Sequence, residues 1–170
     1  MTSPFTYTAG IPKDNNDSNL ANVSSLLWHA YAVLPASVNW AGFYVRDDKF
    51  PSPNTTTTTT TQTSEDQKQK TLLLGHFHGK PACQLIHFGR GVCGTAAAKR
   101  ETVLVHDVLG FPGHIACDAE SRSEIVVPVL VEGETVGLID VDCTEVGGFD
   151  AVDREFLEVL AGVLASGCDW

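Results

Sequence analysis

The chain predicts an α+β domain built on an antiparallel sheet. Three observations predict it: helix-period apolar residues near each end, short β-branched runs between them, and a hairpin signal ahead of the second helix. With 170 residues, 43% of them hydrophobic and 19% charged, the chain is sized for one folded domain with a full core.

Each element has a local reason. Over Ser18 to Leu34, Leu20, Val23, Leu27, Ala30, Tyr31 and Leu34 recur at helical spacing, with Ser18 as the expected N-cap and Pro35 as the stop. Val38 to Arg46 reads as a strand. Residues 47–70 are polar and contain seven consecutive threonines, Thr55 to Thr61, flanked by Pro51 and Pro53. Such a stretch buries too little apolar surface to offset its ordering entropy, so it is expected to be a disordered insertion between two strands. Thr71 to Phe77 is the expected partner strand, followed by a strand near Gln84 to Phe88, a short helix over Gly94 to Lys99 and a β-branched strand at Thr102 to Val105. Glu124 to Val131 and Thr135 to Asp142 flank Glu132-Gly133-Glu134 as a hairpin. Asp150 to Ala165 closes the order as a helix capped by Asp150, with Phe156, Leu157, Leu160 and Leu164 facing inward.

Charge excludes one class of partner. A formal net charge of −10, with no stripe of Lys and Arg, argues against nucleic acid. No basic start followed by an apolar stretch marks Met1 to Gly10, and no apolar run is long enough to span a bilayer. Five cysteines, an odd number, fit poorly with a fully paired secreted framework, so a cytoplasmic, reducing location is the expectation.

The chemistry-bearing residues begin with Leu138-Ile139-Asp140-Val141-Asp142-Cys143. Strand alternation puts Asp140 and Asp142 on one face and Ile139, Val141 and Cys143 on the other, which is apolar and belongs in the core. Two adjacent carboxylates repel unless a cation sits between them or one stays protonated. A solvent-facing strand end and a hard metal ion are the alternatives. Glu124, opening the neighbouring strand, brings a third carboxylate. In Asn39-Trp40-Ala41-Gly42-Phe43-Tyr44, the rings of Trp40 and Tyr44 share a face with Gly42 between them. That arrangement suits either ordinary core packing or a gap for an alkyl or cationic group.

Cys83, Cys93 and Cys117 all fall in glycine-rich, loop-like surroundings. A reactive thiol needs its thiolate and access. Cys117 has His114 and Arg122 nearby to help lower its pKa, with Asp118 and Glu120 opposing. Cys143 and Cys168 read as structural. The ligands His76, His78, Cys83, His87, Cys93, His114 and Cys117 lack the spacing of a zinc site. Gly89-Arg90-Gly91-Val92-Cys93-Gly94 lacks the pattern of a phosphate cradle.

Five strings in this order carry a resemblance: Asn39-Trp40-Ala41-Gly42-Phe43-Tyr44, Gly89-Arg90-Gly91-Val92-Cys93-Gly94-Thr95-Ala96, Gly113-His114-Ile115-Ala116-Cys117-Asp118, Ser123-Glu124-Ile125-Val126-Val127-Pro128 and Ile139-Asp140-Val141-Asp142. Together they resemble the free methionine-(R)-sulfoxide reductases, which are single GAF domains. The resemblance implies that residues 1–170 form one such domain, with a GAF-like central antiparallel sheet of about six strands flanked by helices. It implies reduction of the R epimer of free methionine sulfoxide, with no metal or organic cofactor and with thioredoxin restoring the thiols. Carried over, Cys117 takes the nucleophilic role and Cys93 and Cys83 resolve or relay, although Cys93 and Cys117 can exchange roles. Trp40 and Tyr44 match the aromatic wall, and Glu124, Asp140 and Asp142 the acidic pocket. The sequence does not fix the oligomeric state, and a homodimer is the expectation. The rival class is a GAF domain that senses a small molecule or redox state without chemistry.

Overall fold

The computed structural model describes residues 15–35, 37–50, 70–114 and 118–170. Strands run over Val38–Arg46 (β1), Thr71–Gly79 (β2), Leu85–His87 (β3), Val103–Val105 (β4), Ser123–Val131 (β5) and Glu134–Cys143 (β6). Helices run over Asn15–Ala32 (α1), Gly91–Lys99 (α2) and Ala151–Gly167 (α3), with single 3-10 turns at Asp47–Lys49 and Val108–Gly110. The six strands form one sheet in the order β3-β2-β1-β6-β5-β4, every neighbouring pair antiparallel. This is the expected α+β architecture. Among the described residues no helix is long and apolar enough to cross a membrane.

The pleat sorts side chains into two layers. Ala41, Phe43 and Val45 of β1, Ile125, Val127 and Val129 of β5, and Ile139, Val141 and Cys143 of β6 share one core with α1 and α3. On the opposite face, Trp40, Tyr44, Val126 and Leu138 pack with Val92, Cys93, Ala96 and Ala97 of α2. The β5–β6 hairpin turns at Glu132 and Gly133, whose φ angles of 52° and 77° are those of a twist-matched two-residue turn. Glu134 therefore belongs to β6 rather than to the turn. At the start of α3, Asp150 caps as expected: its carboxylate accepts from the amides of Val152 and Asp153, while Asp153 accepts from the amide of Asp150.

Several expectations need correction. Ser18 lies inside α1, which begins at Asn15, and α1 ends at Ala32, three residues before Pro35. Ala30 and Leu34 are exposed. In α3 the inward face is Leu157, Ala161 and Leu164, with Leu160 partly buried, whereas Phe156 is 70% exposed. The helix packs mainly against β5, and that contact covers a narrower stripe than the apolar residues of the sequence occupy. The insertion expected at 47–70 starts later than its composition suggested. Asp47–Lys49 forms a 3-10 turn and Phe50 packs against the α1/α3 core, while residues 51–69, including all the threonines, lie outside the described residues.

Gly42 also has a different reason from the one its neighbours suggested. A Cβ there would stand 2.4 Å from the Cβ of Phe77 and 2.8 Å from the carbonyl oxygen of His76. The glycine admits the close approach of β2, at a point where the β1–β2 register shifts. No gap is left between the rings: Trp40 stacks on Tyr44 at 5.9 Å and on Phe77 at 5.4 Å.

Candidate active site

A cavity opens on the α2 face of the sheet, over β1, β5 and β6. Its lining includes Trp40, Tyr44, Cys83, Cys93, Glu124, Asp140 and Asp142, so every site residue named from the sequence, apart from Cys117, borders one hollow. Cys117 lies outside the described residues. Asp118, the residue after it, is on the cavity wall with His114 and Ser121.

Strand register places the acids. Glu124 pairs across the sheet with Asp142, and Asp140 lies between Gly42 and Val126. Glu124 and Asp140 are only 6% and 5% exposed. Burial is the first cause that raises all three carboxyl groups: Asp140 is pushed up to about 7, and Glu124 and Asp142 rise well above the ordinary carboxylate range, helped by the neighbouring acids. Removing carboxylates from water disfavours the charged form, and crowding them compounds the effect. At neutral pH the cluster therefore holds protons that isolated acids would have lost.

Cys93 reaches the same cluster from α2. Its thiol donates to Asp140 Oδ2 at 3.2 Å and approaches Glu124 Oε1 at 3.7 Å. Burial first, then Asp140 and Glu124, hold this thiol well above its ordinary value. The expectation of a loop-like setting is wrong for Cys93: α2 begins at Gly91, three residues earlier than predicted, and Cys93 sits in its buried first turn. Gly94 makes that placement possible, since a Cβ there would lie 2.3 Å from the carbonyl oxygen of His87. No side chain caps the N-terminus of α2, and Gly91 and Val92 border the cavity.

The thiols separate into two states. Cys83 is disulfide-bonded, whereas Cys93, Cys143 and Cys168 are free. Cys143 is fully buried in the α1/α3 core, on the face away from the acids, and Cys168 is beside α1, where Asn19 Nδ2 donates to its sulfur.

Two partners were not foreseen. Asn39 donates through Nδ2 to Asp118 Oδ2 at 3.1 Å and to Ser121 Oγ at 3.0 Å. This ties β1 to the loop that follows Cys117. Strict alternation places Asn39 opposite Trp40, but the β1–β6 register is irregular between Val38 and Trp40, a departure invisible in a period-two pattern. Asp118 accepts the amide of Glu120 and interacts with Asn39 and Lys80, which together keep its carboxyl below the usual range. One ionised acid thus stands at the wall of a hollow whose inner acids retain protons. His114 lies 3.9 Å from Glu124 through Nε2, and burial lowers its pKa. Arg122, expected to assist Cys117, pairs with Asp107 at 3.1 Å. The scattered histidines stay scattered: His76 bonds Asp17 on α1 and His78 stacks on Trp28.

A curled six-stranded antiparallel sheet with its hollow and α2 on one face and α1 and α3 on the other is the arrangement of a GAF domain, and residues 25–167 match that family. The protein of Saccharomyces cerevisiae named free methionine-R-sulfoxide reductase is 53% identical over 151 residues, which are 88% of this chain and 74% of the yeast protein. The Escherichia coli protein of the same name is 40% identical over 147 residues, 86% of this chain and 74% of its own. The X-ray structure of free methionine-R-sulfoxide reductase from Neisseria meningitidis in complex with its substrate superposes with a TM-score of 0.72 at 36% identity, covering 92% of this chain and 78% of that one. The chain belongs to the free methionine-R-sulfoxide reductase family of GAF domains.

Proposed function

We propose that this protein is an oxidoreductase that reduces free methionine-(R)-sulfoxide to methionine through its own thiols. The observation that carries the reading is the meeting of cysteine with three proton-holding carboxyl groups in one hollow walled by Trp40 and Tyr44. Methionine sulfoxide brings a methyl group for the aromatic wall, an α-ammonium for acids, and an α-carboxylate for the uncapped amides of α2. Its sulfoxide oxygen must be protonated as a thiolate attacks sulfur. A carboxyl of the Glu124–Asp140–Asp142 cluster supplies that proton, and the remaining acids, with ionised Asp118, balance the ammonium.

Cys117 is the nucleophile in this scheme. Cys93 is ill suited to the attack, because its buried thiol resists ionisation near neutral pH. The Cys117 thiolate attacks the sulfoxide sulfur, the S–O bond breaks, and the oxygen passes to cysteine as a sulfenic acid while methionine leaves. The Cys83 thiol then condenses with the sulfenic acid, forming a disulfide and releasing water. Cys83 is preferred over Cys93 as the resolving partner because it is the one seen in a disulfide. The dithiol of thioredoxin reduces that disulfide by exchange. The reaction has no step that calls for a metal or organic cofactor.

Epimerically pure substrates test the proposal. With thioredoxin as reductant, the R epimer of free methionine sulfoxide is expected to yield methionine and the S epimer to give none. Without reductant, one turnover should consume two thiols, and mass spectrometry should map the new disulfide to Cys83. A protein that binds the sulfoxide yet loses no thiols is a sensor.

The protein also forms a homodimer through α3 in this reading. Val152, Phe156, Val159 and Val163 are 56%, 70%, 62% and 60% exposed and follow one another along a single stripe, as a helix–helix interface requires. Light scattering should return twice the monomer mass for the wild type and the monomer mass for Phe156→Glu. A monomeric wild type at assay concentration removes the dimer.

A further inference from the structure

We propose that Cys93, Glu124 and Asp140 form a binding site for a thiophilic divalent cation of the zinc type, and that its occupation inhibits the enzyme. The inhibitory half rests on the reductase reading above; the metal site itself does not.

The geometry comes first. Cys93 Sγ lies 3.2 Å from Asp140 Oδ2 and 3.7 Å from Glu124 Oε1. One ligand atom from each residue lies within 4.8 Å of the others. A tetrahedral zinc ion with Zn–S near 2.3 Å and Zn–O near 2.0 Å holds sulfur and oxygen about 3.5 Å apart. The two sulfur–oxygen distances bracket that value. The ligands stand on α2, β5 and β6, three elements fixed by packing and strand pairing.

A second observation points to a ligand. Asp140 Oδ1 is buried without any hydrogen-bond partner, in a side chain 5% exposed, whereas native interiors leave very few such atoms. An oxygen of Asp140 that lacks a donor, beside a thiol and a second carboxyl group, offers a place for a cation. The three groups also border the cavity, which supplies an entry path and a position for water as fourth ligand. Thiolate sulfur selects zinc, cadmium or cobalt over magnesium and calcium. On binding, the Cys93 proton and any proton held by the two carboxyls pass to solvent, and three metal–ligand bonds replace them.

Inhibition follows from shared atoms. A coordinated Glu124 or Asp140 can neither protonate a sulfoxide oxygen nor balance an α-ammonium, so cation and substrate exclude one another. The spacing in sequence, 31 residues from Cys93 to Glu124 and 47 to Asp140, explains why no motif announces the site.

Cobalt(II) is the probe, because its colour reports the ligands independently of activity. The full chain, treated with reductant and chelator and then desalted under nitrogen, is titrated with cobalt chloride near neutral pH. The expected result is one equivalent bound, with the near-ultraviolet thiolate-to-cobalt absorption and the visible bands of a four-coordinate ion. Cys93→Ser should lose the near-ultraviolet absorption, while Cys83→Ser and Cys168→Ser keep it. Asp140→Asn and Glu124→Gln, which leave the thiol in place, should each weaken binding at least about tenfold. Zinc should then inhibit competitively with methionine sulfoxide, reversibly on adding chelator. Absorption that survives Cys93→Ser, or affinity unchanged in both carboxyl variants, overturns the site. Turnover undisturbed by saturating zinc overturns the inhibition. Cys93-dependent cobalt binding in a protein without sulfoxide turnover upholds the metal site and removes the reductase reading.

Discussion

Cys117→Ser is expected to abolish turnover of free methionine-(R)-sulfoxide, with kcat/KM falling on the order of 10³-fold or more, as loss of a nucleophile does. Serine keeps the size of the side chain but at neutral pH offers neither the thiolate nor a sulfur able to accept oxygen and be reduced again. The variant should remain folded, with a melting temperature close to wild type. Incubated with substrate and no reductant, it should form no disulfide at Cys83. Methionine release measured by chromatography decides the matter. Activity near wild type would mean that Cys93 attacks, despite a thiol that burial and two acids hold in its protonated form. Cys93→Ser separates the cases, because a relay or a pocket wall loses rate, whereas a nucleophile loses everything.

The acid cluster carries the second large effect. Glu124→Gln and Asp142→Asn should each lower kcat/KM by about 10²- to 10⁴-fold, the range of a lost general acid. Each keeps the shape of the side chain, and neither should destabilise the fold, since an amide replaces a carboxyl whose charge the site disfavours. The pH dependence of stability supplies a check that activity does not. Asp140 has its folded pKa near 7, far above the unfolded value of about 3.9, so the folded state holds a proton that the unfolded state has lost across that window. Its contribution is fully present below the unfolded pKa and is lost as pH rises through 7. The melting temperature should therefore rise as pH is lowered from 8 towards 5, and Asp140→Asn should flatten that slope. Full kcat/KM in both acid variants would dismiss the proton-donor and ammonium roles together. A melting temperature indifferent to pH would instead mean that the carboxyls are not held protonated.

Much of the site was legible because strand periodicity is a rigid rule. A period of two puts Asp140 and Asp142 on one face and Trp40 and Tyr44 on another of the same sense, and pairing of β1 with β6 brings the two together. The same rule sent Ile139, Val141 and Cys143 to the core, where they lie. Helix periodicity is looser, because it marks a face without saying how much of that face a neighbour covers. Phe156 has helical spacing and an apolar ring, yet α3 turns it to solvent. Gly42 answers to β2 rather than to the rings beside it, because alternation along β1 says nothing about how closely β2 approaches. Asn39 carries no signal in the sequence, because a register irregularity, rather than a residue pattern, aims it at Asp118 and Ser121.

Local rules of backbone and charge, acting over a few residues, decided the strands, the hairpin, the Asp150 cap and the shared face of the acids, while five short strings carried the resemblance to the family. Contacts across dozens of residues needed the assembled sheet. Only there does α2 carry Cys93 onto Glu124 and Asp140, and only burial at that meeting point raises the acids and the thiol together. Desolvation belongs to a place in the fold and not to a residue type, so no reading of the chain alone supplies it.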